Sequence, residues 1–194
     1  MLNILAVLFT LTPVAVLGAN FTEEERFVEK FADEAIMILS NDQISKNEKN
    51  DQFTNLVMSA IDLNLISQFV LSKTWKSATD DQKERYISAF KKYFISSYAN
   101  KLDQYSGEKI IVNGSEQAGK YIIVDTNIIR EGTDTLKINL KWRLLNNNGD
   151  IGIIDLNIEG ISLVIAQREE FQSYLANNDG DLDSLIEKIV SVSD

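Results

Sequence analysis

Two aspartates set in apolar strands are the residues of this chain best placed for acid–base chemistry. Asp125 and Asp155 each interrupt a run rich in Ile and Val. Burial there would hold a carboxyl protonated, as a general acid requires. A pair of that kind would serve a small α+β hydrolase or isomerase. The plainer reading is that both face water or pair with Lys137 or Arg143, since structural ion pairs perturb carboxylates just as active sites do.

The remaining chemical inventory is thin. The 194 residues include no Cys and no His. That excludes disulfides, thiolate nucleophiles, imidazole bases and the usual zinc ligands together. There is no P-loop, no G-x-G-x-x-G and no G-x-S-x-G. Asp179, Asp181 and Asp183 alternate beside Gly180, but a calcium loop needs its Gly later and a Glu at the last ligand position. Here that last position is Val190. The triplet reads as a turn followed by a helix cap. Asn20-Phe21-Thr22 and Asn113-Gly114-Ser115 match the glycosylation sequon, a short pattern frequent by chance and idle in a bacterial protein. No catalytic residue, metal or cofactor is expected.

The charge balance excludes further classes. Asp and Glu total 29 against 19 Lys and Arg, a net −10. Nucleic acid needs a basic footprint, and an anionic membrane surface attracts basic segments. The hydrophobic share of 44% is that of a chain with a sizeable core.

The elements that must position any site fall into two halves. Residues 1–21 carry no charged side chain, and an apolar run over 4–17 leads to small residues at Gly18 and Ala19. This reads as a secretory signal peptide over 1–19, although no Lys or Arg precedes its core. An uncleaved membrane anchor is the other reading. The rest, 22–194, reads as one domain. Thr22 and Glu25 form a capping box, and Phe27, Val28, Phe31, Ala35, Ile38 and Leu39 recur at helical spacing. A polar break over 41–50 precedes a second helix at about 50–60, and Asp62 caps a short third. Thr79 and Gln82 cap the clearest helix, whose stripe runs through Tyr86, Ile87, Phe90, Tyr93, Phe94, Tyr98, Leu102 and Tyr105 and ends at Gly107.

From Glu108 the period changes to two. Strands are expected at 109–112, 121–130, from Leu136 through Leu144, and at 151–158. In the third, Leu136, Ile138, Leu140, Trp142 and Leu144 alternate with Lys137, Asn139, Lys141 and Arg143, the pattern of a sheet wet on one face. Turns are expected at 114–119, 131–134 and 146–150. Ser162 and Asp181 cap two closing helices. The expected fold is α+β: N-terminal helices, a four-stranded antiparallel meander and C-terminal helices packed on one face of the sheet. The aromatic stripe either fills a core or lines a cavity; periodicity does not separate the two.

The order of signatures resembles the MlaC/toluene-tolerance family over nearly all of 27–189. The residues that carry it are Val70-Leu71 with Trp75, then Ala78, Gln82, Tyr86 and Phe90. Tyr98, Leu102, Tyr105 and Gly107-Glu108 follow. Asp155 with Ile158-Glu159-Gly160-Ile161-Ser162-Leu163 is the most telling string, and Gln167-Arg168, Phe171 and Leu185-Ile186 complete it. Ser72 stands where the family commonly has Gly, and Tyr86 where Phe is common.

The resemblance implies a periplasmic phospholipid carrier with an NTF2-like arrangement and an apolar cavity between sheet and helices, and no enzyme activity. Its cargo is phospholipid, shuttled between inner and outer membranes to maintain outer-membrane lipid asymmetry. The implied partners are an inner-membrane MCE-domain/ABC-transporter complex and an outer-membrane lipoprotein–porin complex. On this reading the lining is Val70, Ile87, Phe90, Phe94, Tyr98, Leu136, Ile138, Leu140, Trp142, Leu144 and Leu163. A non-lipid envelope adaptor without a cavity is the remaining alternative.

Overall fold

The computed structural model describes residues 21–99, 107–130 and 136–193, without the side chains of Tyr98, Ala99 and Leu136. The expected signal peptide, the stripe residues Leu102 and Tyr105 and the expected turn at 131–134 lie outside them.

Five helices come first: α1 (Glu23–Leu39), α2 (Lys46–Ala60), α3 (Leu63–Leu71), α4 (Lys73–Ser77) and α5 (Asp80–Ala99). The sheet follows with β1 (Lys109–Ala118), β2 (Tyr121–Arg130), β3 (Leu136–Asn147), β4 (Asp150–Ile158) and β5 (Ile161–Ser162). Two helices close the chain, α6 (Leu163–Asn177) and α7 (Leu182–Ser191).

Hydrogen bonds explain most helix starts. Thr22 and Glu25 exchange side-chain and backbone bonds at 2.9 and 3.1 Å, and Thr79 and Gln82 do the same at 3.1 and 3.2 Å. Each exchange satisfies two backbone donors that a helix start leaves free. Asp62, Ser162 and Asp181 cap α3, α6 and α7. The second helix begins earlier than its apolar pattern suggests. Ser45 accepts from the Glu48 backbone N–H at 3.2 Å, so the turn before the apolar residues is helical although solvent-facing.

The sheet is an antiparallel meander of five strands in chain order, not four. The fifth has only two residues, paired with Asn157 and Ile158 across the Glu159-Gly160 turn. It is too short to show a period. The first strand also runs past its apolar part: 113–118, expected largely as a turn, continues the pairing with β2 after a bulge at Asn113. Backbone bonding extends it where its side chains are polar. At the β3–β4 hairpin Asn148 and Gly149 sit at φ +57° and +94°, as a two-residue turn between twisted strands demands.

Register aligns one apolar face. Ile110, Ile128 and Ile138 form one row, Val112, Thr126 and Leu140 the next. Val124, Trp142 and Leu156 form a third, and Ile122, Leu144 and Ile153 a fourth. A bulge opposite Arg143–Leu144 leaves Ile154 unpaired and keeps both Ile153 and Leu156 on the apolar side. The stripe of α5 packs into the same core. Tyr86 and Phe90 are fully buried, and Phe90 meets Phe171 of α6 edge-on at 6.2 Å. Burial pushes the Tyr86 phenol up from its ordinary value, and its hydroxyl donates to the Ser67 carbonyl at 3.1 Å.

Candidate functional site

The two candidate acids have structural partners. Asp125 lies on the polar face of the sheet, where it accepts from Asn113 at 2.6 Å and Asn139 at 3.1 Å. Lys141 stands 3.8 Å away, so the cation beside Asp125 is Lys141 and not Lys137. Asp155 is 4% exposed. One of its oxygens accepts from the Ser162 hydroxyl at 2.7 Å, the other from the Val164 backbone N–H at 3.2 Å. Arg143 is 3.6 Å away. This carboxylate fixes the start of α6 against β4. The groove beside it holds about 120 Å³ and is mostly apolar.

The aspartates near the C-terminus are likewise engaged. Asp181 caps α7 through the backbone N–H groups of Asp183 and Ser184. Asp183 binds Arg85 at 2.6 Å and Gln82 at 3.0 Å. Those donors hold its carboxyl below the usual range and tie α7 to α5. Among the described residues no three acidic side chains are grouped to hold a metal ion.

An apolar cavity of about 210 Å³ lies under α1, α2 and α5. Phe31, Ala32 and Ala35 reach it from α1, and Phe53, Thr54 and Val57 from α2. Phe94 and Ile95 come from α5, Ile61 from the link between α2 and α3, and Ile110, Trp142 and Leu156 from the sheet. Its exposed wall is apolar throughout. The spacing explains the gathering: Phe31 and Ala35, Phe53 and Val57, and Val57 and Ile61 are each four apart, one turn along a helix face.

Trp142 anchors the floor. Its ring meets Phe31 edge-on at 5.6 Å, and its indole N–H donates to the Thr126 hydroxyl at 2.9 Å. That hydroxyl in turn donates to the Leu140 carbonyl at 2.9 Å. A buried indole N–H needs such a partner, so the chamber meets only the carbon face of the tryptophan.

Of the residues expected to line a cavity, Phe94 and Trp142 do so. Val70, Phe90, Leu140 and Leu144 are buried in the packed core. Ile87, Ile138 and Leu163 are half-buried outside this lining. The side chains of Tyr98 and Leu136 lie outside the described residues. The α1 and α2 contributions were missed. The visible signal was small residues, Ala32 and Ala35, on the inward stripe of α1, where large ones would close the space.

Comparison with known proteins matches this fold and places it. The chain is 27% identical over 138 residues to the Haemophilus influenzae intermembrane phospholipid transport system binding protein MlaC. It is 24% identical over 139 residues to the toluene tolerance protein ttg2D of Pseudomonas putida. These alignments cover 70% and 71% of this chain and 64% of each relative, just under two thirds of their length. A phospholipid-binding protein from Ralstonia solanacearum, solved in complex with a phospholipid, superposes with a TM-score of 0.75 at 17% identity. That superposition covers 87% of this chain and 96% of the other, and it establishes the α+β fold. The family model described as MlaC protein matches residues 29–191, nearly everything after the first turn of α1, so the chain belongs to the MlaC family.

Proposed function

We propose that this protein is a non-enzymatic phospholipid carrier of the bacterial periplasm, exported by its N-terminal segment. The observation that carries the reading is the wholly apolar chamber between the sheet and α1, α2 and α5. The phospholipid held by the superposed Ralstonia protein supports it. So do the transport and binding functions named for the Haemophilus relative.

The physics of carriage is simple. Two acyl tails hold on the order of 30 methylenes, each costing about 0.8 kcal/mol in water, so roughly 24 kcal/mol opposes free passage between membranes. A carrier has only to offer a place as dry as the bilayer. Transfer is then near neutral and direction is left to the partners. By the same family reading these are an inner-membrane MCE-domain/ABC-transporter complex and an outer-membrane lipoprotein–porin complex. The domain over 22–194 takes the NTF2-like arrangement on this reading.

The chamber is smaller than the roughly 300–1,000 Å³ of sites that enclose drug-sized ligands. Loading two tails therefore parts the helix layer from the sheet, and Phe94, Trp142 and neighbouring core residues become lining together. Organic extraction of the purified chain followed by mass spectrometry tests the proposal. Phospholipid should be recovered after contact with vesicles. A chain that carries none and accepts none refutes it.

A further inference from the structure

The groove of about 120 Å³ beside Asp155 runs between α3 and the start of α6. Tyr121 and Arg143 reach it from the sheet. They alternate with the core residues Ile122 and Trp142, so they stand on the face opposite the apolar chamber. Leu65 and Phe69 of α3 and Ile165 of α6 form apolar walls, yet they stay 38%, 44% and 43% exposed. Apolar side chains scattered over a surface need no explanation; three that wall one recess do.

The sequence of α3 accounts for the exposure. Ile66 and Val70 turn into the core, while Leu65 and Phe69, also one turn apart, make a second apolar row. A helix apolar on two sides has two faces to cover, and the fold covers one.

The rim of the groove is cationic, although the chain carries a net −10. The Arg168 guanidinium lies 4.9 Å from the centre of the Phe69 ring. The Lys120 ammonium and the Arg143 guanidinium lie 5.1 and 5.9 Å from the centre of the Tyr121 ring. Lys120 has no ion-pair partner among the described residues. Asp155 stands 3.6 Å from Arg143, but it is buried and both of its oxygens already accept hydrogen bonds. The solvent side of the rim therefore keeps its positive charge. A membrane fits such a site poorly, because faces that enter a bilayer project their apolar side chains, whereas these wall a recess. Apolar side chains flanked by carboxylates fit it well.

We propose that this groove docks an acidic amphipathic helix of a partner protein. Its apolar side chains fill the space between Leu65, Phe69 and Ile165, and its carboxylates meet Lys120, Arg143 and Arg168. The inference is independent of the carrier reading, because the groove and the apolar chamber share no lining residue.

The test titrates the purified chain with a fluorescein-labelled synthetic peptide of about 18 residues, long enough to form a helix. The peptide has leucine at helical spacing and alanine and glutamate elsewhere, and a second peptide carries lysine in place of glutamate. Fluorescence anisotropy should show saturable binding of the glutamate peptide and several-fold weaker binding of the lysine peptide. Ile165→Asp should abolish binding of the glutamate peptide. Aspartate suits the first turn of α6, so this variant should melt with the parent and load lipid from vesicles as the parent does. Lys120→Glu should narrow the difference between the two peptides or reverse it, and Ala35→Trp, in the chamber, should leave both affinities unchanged. No saturable binding of the glutamate peptide, equal binding of the two peptides, or binding unchanged in Ile165→Asp overturns the proposal and leaves the carrier reading standing. Lipid loading lost in a folded Ile165→Asp would assign the groove to the cargo and overturn it. Sedimentation of the chain with phosphatidylglycerol vesicles that Ile165→Asp removes would assign it to a membrane and also overturn it.

Discussion

Ser72 joins α3 directly to α4 with φ +58° and ψ −127°. This is the first central position of a type II′ turn, a conformation glycine adopts freely and serine does not. Strain of this kind costs about 1–3 kcal/mol. One local contact offsets it: Arg168 donates to the Ser72 hydroxyl at 2.9 Å, a part-exposed bond worth about 1 kcal/mol. Two substitutions separate these effects. Ser72→Ala keeps the strain and loses the bond, so it should cost about 1 kcal/mol. Ser72→Gly loses the bond and the strain, but gives back about 0.4–1 kcal/mol to the freer unfolded chain. The glycine variant should therefore exceed the alanine variant by about 1 kcal/mol and lie near the parent. For a domain of this size that is a difference of roughly 2–4 °C in melting temperature. Calorimetry or urea titration reads it. In an Arg168→Ala background, where the bond is already gone, Ser72→Gly should raise stability outright. An alanine variant melting at or above the glycine variant would refute the argument from backbone strain.

Thr126→Val is nearly isosteric but strands the Trp142 indole N–H, and should destabilise by about 1–3 kcal/mol in denaturant titration. Ala35→Trp, which projects a ring into the apolar chamber, should reduce lipid loading several-fold in the vesicle assay with little change in melting temperature. The Asp183 carboxyl is held below its ordinary range by Arg85 and Gln82. Its stabilising effect is therefore present above the usual carboxylate pKa of about 4 and lost as pH falls through the lower folded value. Asp183→Asn should accordingly be less stable than the parent at neutral pH and converge with it in acid, a gap that salt narrows because the pair is half exposed.

Much of the scaffold was readable because its signals are local. Thr22 with Glu25, Thr79 with Gln82, and Ser162 each mark a helix start within a few residues. Leu136 to Leu144 alternates because one side of β3 meets the core and the other meets water. The misses share a cause. Nothing in the side chains of 113–118 shows that their backbone pairs with β2, and a two-residue β5 has no period at all. The chamber was legible only as permission. Phe90 and Phe94 stand on the same stripe, yet Phe90 is fully buried against Phe171 while Phe94 is among the residues lining the cavity. That contrast is decided by α6 and α1, which pack from distant parts of the chain. The aspartates show the converse: structural pairing was the plainer reading of Asp155, but its partners Ser162 and Val164 come from a turn and a helix start that its own strand does not reveal.

The link between α2 and α3 is fastened to the sheet. Ile61 bridges Ile153 in parallel, and the Asp62 backbone N–H donates to the Ile153 carbonyl at 3.0 Å. The C-terminal end of α2 is thus pinned to the free edge of β4, and near its start Lys49 donates to the Leu39 carbonyl at 2.9 Å. On the carrier reading, the chamber wall has one fixed point at Ile61, and the widening proposed for loading is expected toward Phe53. Tails of different length and unsaturation would then be positioned at the fixed end and accommodated at the other.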